Sequence, residues 1–260
     1  MDKQKKKQPK FVMTGMMARY LIKLAIRIGI FVSIFIFYIL NKPEMCRVMT
    51  MNVYKGIRPI HLLWLYFMGL MLLHIFPFEK IRLTMARRKA EEKPYVPVKN
   101  YDELQLLRFV QNQNVKAWTV MLVWLLANCV IGGLYLLDIL DDADLLMCTV
   151  FFFLCDYICI LFFCPFQKLI MKNRCCVNCR IYDWGHFMMF TPMLFIKNFF
   201  SWSLFITSCV VLIHWEVLYA KHPERFWHGS NQNLRCANCK DKTCQIKNRI
   251  MGRVDIDNET

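Results

Sequence analysis

The stretch Ala117–Leu137, AWTVMLVWLLANCVIGGLYLL, decides the class of protein because it contains no charged side chain. A helix needs about 20 apolar residues to cross the hydrocarbon core of a bilayer. Comparable apolar runs occur at Tyr20–Leu40, His61–Phe78, Leu145–Pro165 and Ser201–Tyr219. The chain is 57% hydrophobic, against ~45–50% in soluble domains. The sequence therefore predicts an all-α polytopic membrane protein.

The distribution of Lys and Arg predicts how these segments cross the membrane. Trp184–Phe200 is a weaker sixth candidate, because Pro192 lies in its middle and Lys197 near its end. Basic residues concentrate in four segments, with six up to Arg19, nine in residues 79–116, four in residues 167–183 and eight after Tyr219. Basic loops favour the cytoplasm, and six crossings place all four segments there. We expect about six transmembrane helices, or five plus a re-entrant arm, in the plasma membrane with both termini cytoplasmic.

These crossings divide the chain into seven segments. They are a basic N-terminus 1–19, a first transmembrane hairpin 20–78, a cytoplasmic loop 79–116, a second hairpin 117–165, a cysteine knuckle 166–183, a third hairpin 184–219 and a basic Cys-rich tail 220–260. In the loop, Asn100 followed by Glu103 predicts a helix N-cap. The helix from Tyr101 to about Gln113 has one apolar face, so we expect it to lie on the membrane or to cover the cysteine site.

Two cysteine knuckles share the pattern C-x-N-C followed by a basic residue. The first is Cys176-Val-Asn-Cys179-Arg180, and the second is Cys236-Ala-Asn-Cys239-Lys240. Each places two thiols on one tight turn, and four thiolates suit tetrahedral zinc or an iron–sulfur cluster. Because the cytosol keeps thiols reduced, clustered cysteines there favour metal binding over disulfides. We predict a shared metal centre with these four cysteines as ligands, and Arg180 and Lys240 offsetting their charge.

The ligand set and the metal stay open at this point. Cys175 and Cys244 lie beside the two knuckles and are alternative ligands, and Cys164 offers a further thiol for a second site. Structural zinc is the common use of four cysteines. The surplus cysteines and nearby histidines favour an iron–sulfur cluster instead. The alternative to both is a set of unligated cytoplasmic thiols.

Several titratable residues fall inside or beside the apolar segments. Asp156 lies near the middle of its run, where a charge is expensive, so it is expected to be protonated or paired. We predict Asp156 and His186 as catalytic residues that manage protons, with a structural hydrogen-bonding role for Asp156 as the alternative. His74 and His214 lie toward the inner ends of their spans and are candidate axial ligands of haem b.

The basic residues of the first apolar run form a stripe. Arg19, Lys23 and Arg27 are four residues apart and share one helix face. They are expected to reach for the inner headgroups, or to pair with a buried acid. The net charge of +15 favours an anionic inner leaflet as partner. The sequence contains no nucleic-acid-binding motif, so we expect no nucleic-acid partner, and the oligomeric state is not readable.

Three functions fit these features. The first is electron transfer from an iron–sulfur centre to a membrane acceptor, with a quinone or a redox protein as partner, which would make the chain part of a membrane oxidoreductase. The second is a non-catalytic scaffold or sensor that structural zinc stabilises. The third is a transporter that uses Asp156, although the spans show no evident two-half repeat.

Overall fold

The computed structural model describes residues 13–50, 59–76, 84–173 and 175–250. This part of the chain is built from helices, with one isolated β-bridge between Pro97 and Asn231. The α-helices are α1 (Gly15–Thr50), α2 (Pro59–Ile75), α3 (Met85–Arg88), α4 (Glu103–Leu136), α5 (Asp142–Leu161), α6 (Gly185–Phe190), α7 (Phe199–Lys221) and α8 (Cys244–Ile250). A π-helical turn lies at Phe166–Ile170, and 3-10 turns lie at Arg180–Trp184, Thr191–Phe195, Pro223–Phe226, Gln232–Leu234 and Cys236–Asn238.

Four of the helices are long and apolar enough to cross a membrane. They are α1 over Gly15–Arg47, and α4, α5 and α7 over their full lengths. The apolar part of α2, His61–Ile75, is shorter. The α1 helix continues past its predicted end at Leu40 and bends at Asn41, because Pro43 removes a backbone donor. The all-helical class with several candidate membrane spans is therefore confirmed for the described residues, whereas the count of six crossings is not.

The helices run between two ends of the bundle. At one end, which we call the knuckle end, Thr14 donates to the carbonyl of Asp241 over 3.0 Å, and Trp215 donates to the carbonyl of Arg180 over 2.7 Å. At the other, the far end, the Lys42 ammonium lies 2.9 Å from an Asp144 carboxylate oxygen. The starts of α2 and α7 also meet at the far end, where the ring centroids of His61 and Phe200 are 4.8 Å apart. Both knuckles therefore lie at one end, as the basic-residue distribution predicts.

The segment Trp184–Phe200 is a broken arm and not a single helix. It contains the six-residue α6 and the 3-10 turn Thr191–Phe195, with Pro192 near the start of that turn. The arm leaves the knuckle end after Asp183 and reaches the far end, where Asn198 caps α7. Phe190, Met193 and Ile196 bury their side chains in the largest apolar cluster. The arm thus runs from one end of the bundle to the other, but as two short helical turns and not as a sixth regular helix.

The α4 helix joins two elements that the sequence predicts to be separate. The surface helix of the loop and the span Ala117–Leu137 form one helix of 34 residues. The predicted Asn100 cap is wrong, because Asn100 has a φ of 57° and lies before the helix. Asp102 is the cap, and its carboxylate accepts from the backbone N–H groups of Leu104 over 2.8 Å and Gln105 over 3.3 Å.

Two neighbouring glycines in α4 provide a test of how the arm packs. A Cβ on Gly132 would lie 2.1 Å from the Phe195 ring, whereas one on Gly133 would meet nothing within 4 Å. We expect Gly132→Ala to lower the free energy of unfolding by about 1–3 kcal/mol through overpacking. Gly133→Ala, the matched control, should leave it unchanged or raise it by up to about 1 kcal/mol through helix propensity. Unfolding of the detergent-solubilised variants measures both, and equal effects would contradict the packing of the arm.

Candidate functional site

A cavity of about 200 Å³ lies between α1, α2, α5 and α6 at the knuckle end, and we call it the basic cavity. Its polar wall includes Arg19, Lys23, Arg27, His74, Asp156 and His186. The two predicted catalytic residues, Asp156 and His186, thus share one site with His74. His214 does not line this cavity, so haem ligation by His74 and His214 stays a prediction that the geometry does not support.

A buried carboxylate, Asp183, anchors the wall of the basic cavity. Its side chain is 2% exposed and forms an ion pair with the Arg87 guanidinium. The His74 Nδ1 atom lies 3.0 Å from the other Asp183 oxygen. Arg87 also donates to the carbonyl of His74. Burial alone would raise the pKa of Asp183, but His74 and Arg87 outweigh it and hold that pKa well below its ordinary value.

The imidazole of His186 in the wall of the cavity has one nitrogen that is not hydrogen-bonded within the described residues. Its ring packs edge-on against His74, with the centroids 4.5 Å apart. The His186 Nδ1 atom is buried and has no hydrogen-bond partner among the described residues. A neutral imidazole with a free nitrogen can accept or donate one further hydrogen bond to a bound molecule.

The intramembrane acid Asp156 is paired. The Arg27 guanidinium lies 2.8 Å from the Asp156 carboxylate and stacks against the rings of Phe153 at 4.0 Å and Tyr157 at 3.9 Å. Arg27 of the basic stripe therefore pairs with a buried acid. This is one of the two roles that the sequence analysis predicts for the stripe. Gly185 allows the contact with α6, because a Cβ there would lie 2.9 Å from an Asp156 oxygen.

The cavity carries a surplus of positive charge. Arg27 and Arg87 each pair with an aspartate, and these pairs are neutral overall. Arg19 and Lys23 line the same cavity and form no ion pair within the part of the chain that the structure describes. Two unpaired cations beside a buried imidazole make an anion the complementary ligand.

The two knuckles are neighbours, but their side chains do not gather into one site. Val177 and Leu234 are buried together, and Cys175 and Cys239 pack against them. No group of three or more Cys, His, Asp or Glu side chains lies in position to hold a metal ion among residues 13–50, 59–76, 84–173 and 175–250. The predicted ligand set is therefore not confirmed.

The predicted ligands face different surroundings. The Cys176 sulfur lies 2.9 Å from the Lys247 ammonium and 3.3 Å from the Gln167 side-chain oxygen. Cys179 is buried, whereas Cys236 is exposed. Burial raises the pKa of the Cys176 thiol to about 11 and that of Cys179 to about 12. Both thiols therefore keep their protons at neutral pH in this arrangement.

Buried lysines that the sequence reasoning missed accompany these thiols. The Lys89 ammonium is completely enclosed and donates to the carbonyls of Val177 over 2.9 Å and Cys179 over 2.6 Å. Burial lowers the pKa of Lys89 to about 8. The role predicted for Arg180 beside the thiols is wrong, because its guanidinium pairs with Glu216 and stacks on Tyr219 at 4.1 Å. The ammonium groups of Lys89 and Lys247 both contact the first knuckle.

The comparisons with known proteins give no relative. No family model matches the chain, and the searches of curated proteins and of solved structures found no match either. The basic cavity and the cysteines are therefore the features of this protein that bear on its function.

The ion pairs of Asp183 predict a large effect of one substitution. Asp183→Asn should lower the free energy of unfolding by about 3–5 kcal/mol, because it leaves Arg87 buried without its counter-charge. Glu91→Gln, which breaks the exposed Arg88–Glu91 pair, should change it by less than about 1 kcal/mol. Denaturant unfolding in detergent measures both free energies of unfolding. Similar small effects from the two variants would contradict the buried ion pair of Asp183.

The ion pairs of Asp183 also make the free energy of unfolding depend on pH. The folded-state pKa of Asp183 lies below that of the unfolded chain, about 3.9 for an aspartate. Its contribution is therefore complete above that pH and is lost as the pH falls from about 4 toward the folded-state value. The stability of Asp183→Asn should accordingly vary less with pH in this acidic range than that of the unmodified protein.

Proposed function

We propose that the protein binds the negatively charged headgroup of a membrane amphiphile in the basic cavity. Among the described residues, Arg19 and Lys23 form no ion pair and the His186 Nδ1 atom no hydrogen bond, and this observation carries the proposal. A phosphate group is the preferred ligand, because guanidinium and ammonium groups bind its oxygens through charge-assisted hydrogen bonds. His186 supplies a further hydrogen bond from the inner wall.

The position of the cavity favours an amphiphile over a soluble anion. Ile26 lines the cavity and is 53% exposed, and Ile22 nearby is 60% exposed. Both lie on α1, a candidate membrane span, so their exposed surfaces fit contact with lipid chains. An acyl chain can lie along α1 while its headgroup enters the cavity. Basic residues at this level suit the anionic inner leaflet that the charge distribution predicts.

Lipid titration followed by native mass spectrometry tests this proposal. Phosphatidic acid should bind the unmodified protein more tightly than phosphatidylcholine does. Arg19→Gln combined with Lys23→Gln should weaken phosphatidic acid binding about tenfold or more, which corresponds to about 1.4 kcal/mol. Arg108→Gln together with Lys168→Gln removes the same charge outside the cavity and should leave the affinity within about twofold.

Two results would contradict the proposal. One is equal weakening by both charge-removing pairs, which would indicate general surface attraction. The other is full competition by inorganic phosphate at a concentration equal to that of the lipid, which would indicate a site for a soluble anion instead.

A metal centre at the knuckles is the second candidate function, as an iron–sulfur site for electron transfer or as structural zinc. Its support is the convergence of the two knuckles and the position of two buried ammonium groups, Lys89 at the Cys179 carbonyl and Lys247 at the Cys176 sulfur. Neither lysine forms an ion pair with a carboxylate among the described residues. Thiolates bound to a metal would supply the missing negative charge, after the cysteine side chains turn toward a common centre.

Metal analysis and absorbance of oxygen-free protein test this second candidate. A centre at the knuckles predicts stoichiometric zinc, or iron with a broad absorbance that dithionite bleaches. Cys176→Ser and Cys239→Ser should then each remove the metal, and Cys46→Ser, far from the knuckles, should retain it. Metal-free protein that is folded and unaffected by the two knuckle substitutions would exclude this candidate.

A further inference from the structure

Three hydroxyl groups lie together in the wall of the basic cavity, and we call them the hydroxyl triad. The hydroxyl oxygens of Tyr20 in α1 and Tyr182 in the turn before α6 are 2.8 Å apart. The Thr84 hydroxyl at the start of α3 lies 3.3 Å from that of Tyr182. All three residues line the cavity, so the hydroxyl triad borders the same space as Arg19 and Lys23.

The hydroxyl triad contains donors that no strong acceptor uses. Within the part of the protein that the structure describes, none of the three hydroxyls donates to a carbonyl or a carboxylate. Thr84 is held in place by a different bond, since its oxygen accepts from the backbone N–H of Arg87 over 3.4 Å. A hydrogen bond from a hydroxyl to an anionic oxygen is roughly twice as strong as one between neutral groups. An anion in the cavity therefore draws a hydroxyl hydrogen away from the triad.

The cations and the hydroxyl triad together match the oxygens of a phosphomonoester. Such a group carries a charge of about −1.5 to −2 at pH 7 and has three terminal oxygens. Arg19 and Lys23 line the cavity and form no ion pair among the described residues, so two positive charges face the ligand. A phosphodiester has a smaller charge and one terminal oxygen fewer. It therefore leaves either a cation or the hydroxyl triad without a partner.

The size of the basic cavity favours the same ligand. Its volume is about 200 Å³, against ~300–1,000 Å³ for pockets that enclose drug-sized ligands. In the binding mode proposed above, the acyl chains lie along α1, so a phosphate enters with its terminal oxygens first. The second substituent of a diester would then lie inside the cavity, where it would separate the phosphate from the cations or from the hydroxyls.

We propose that the basic cavity selects a phosphomonoester headgroup over a phosphodiester, and that Tyr20 and Tyr182 determine this selectivity. Arg19 and Lys23 bind two of the terminal oxygens. A tyrosine hydroxyl of the triad donates to the third, which is the oxygen that carries a substituent in a diester. The inference rests on the proposed function, because it names the class of headgroup that the same site binds.

A comparison of two lipids with identical acyl chains tests the selectivity. Phosphatidic acid is the phosphomonoester, and phosphatidylmethanol is a diester that differs from it by one methyl group on a terminal oxygen. Native mass spectrometry of the full-length protein, titrated with each lipid, measures both affinities. We expect phosphatidic acid to bind about tenfold or more tightly than phosphatidylmethanol. Ceramide 1-phosphate, a phosphomonoester on a different backbone, should bind within about threefold of phosphatidic acid.

Substitution of the tyrosines tests their role in the selectivity. Tyr20→Phe combined with Tyr182→Phe should weaken phosphatidic acid binding about fivefold or more, because the third terminal oxygen loses its donor. The same variant should bind phosphatidylmethanol within about twofold of the unmodified protein. Tyr219→Phe is the matched control, since it removes a buried hydroxyl from α7 outside the cavity, and it should leave both affinities within about twofold. The preference between the lipids is read on the unmodified protein, so a variant that fails to fold does not obscure it.

The possible failures are distinguishable from one another. Equal affinities for phosphatidic acid and phosphatidylmethanol, both above that for phosphatidylcholine, would overturn the selectivity and leave the proposed function standing. Equal affinities for all three lipids would overturn both. A full preference for phosphatidic acid in the Tyr20→Phe and Tyr182→Phe double variant would overturn the role of the tyrosines. Full competition by glycerol 3-phosphate at a concentration equal to that of the lipid would support the phosphomonoester and overturn the amphiphile as its source.

Discussion

The buried carboxylate of Asp183 is the constraint on which the arrangement at the knuckle end depends. A charge without water must be paired, and its partners come from separate parts of the chain, His74 in α2 and Arg87 in α3. Satisfying this one group therefore fixes the end of α2, the position of α3 and the entry of the broken arm. The basic cavity exists because these three elements meet around its wall.

Asp156, the acid inside a candidate span, follows the same rule and has a different consequence. Asp156 pairs with Arg27 of α1, so the two aspartates use the two deepest arginines and leave Arg19 and Lys23 unpaired among the described residues. The cavity wall thus has four cations and two acids, and its net positive charge favours an anion. Lys89, which holds the carbonyls of the first knuckle, adds rigidity on the other side of Asp183.

The sequence predicts the parts of this structure that a single segment determines. An uncharged run such as Ala117–Leu137 is stable in a bilayer as a helix, because its backbone N–H and C=O groups must form hydrogen bonds within the segment. The pairing of Arg87 with Asp183 was not predictable, since the two residues are 96 positions apart. For the knuckles, spacing identifies thiols on one turn but does not determine side-chain direction, and Cys176 turns toward Lys247 instead of toward Cys239.

A double-mutant cycle on Arg87 and Asp183 tests the central claim most directly. Free energies of unfolding are measured for the unmodified protein, for Arg87→Gln, for Asp183→Asn and for the variant with both changes. A buried ion pair that positions the cavity wall predicts a coupling free energy of about 2 kcal/mol or more. Additive effects, within about 0.5 kcal/mol, would contradict the account, because the two side chains would then act independently.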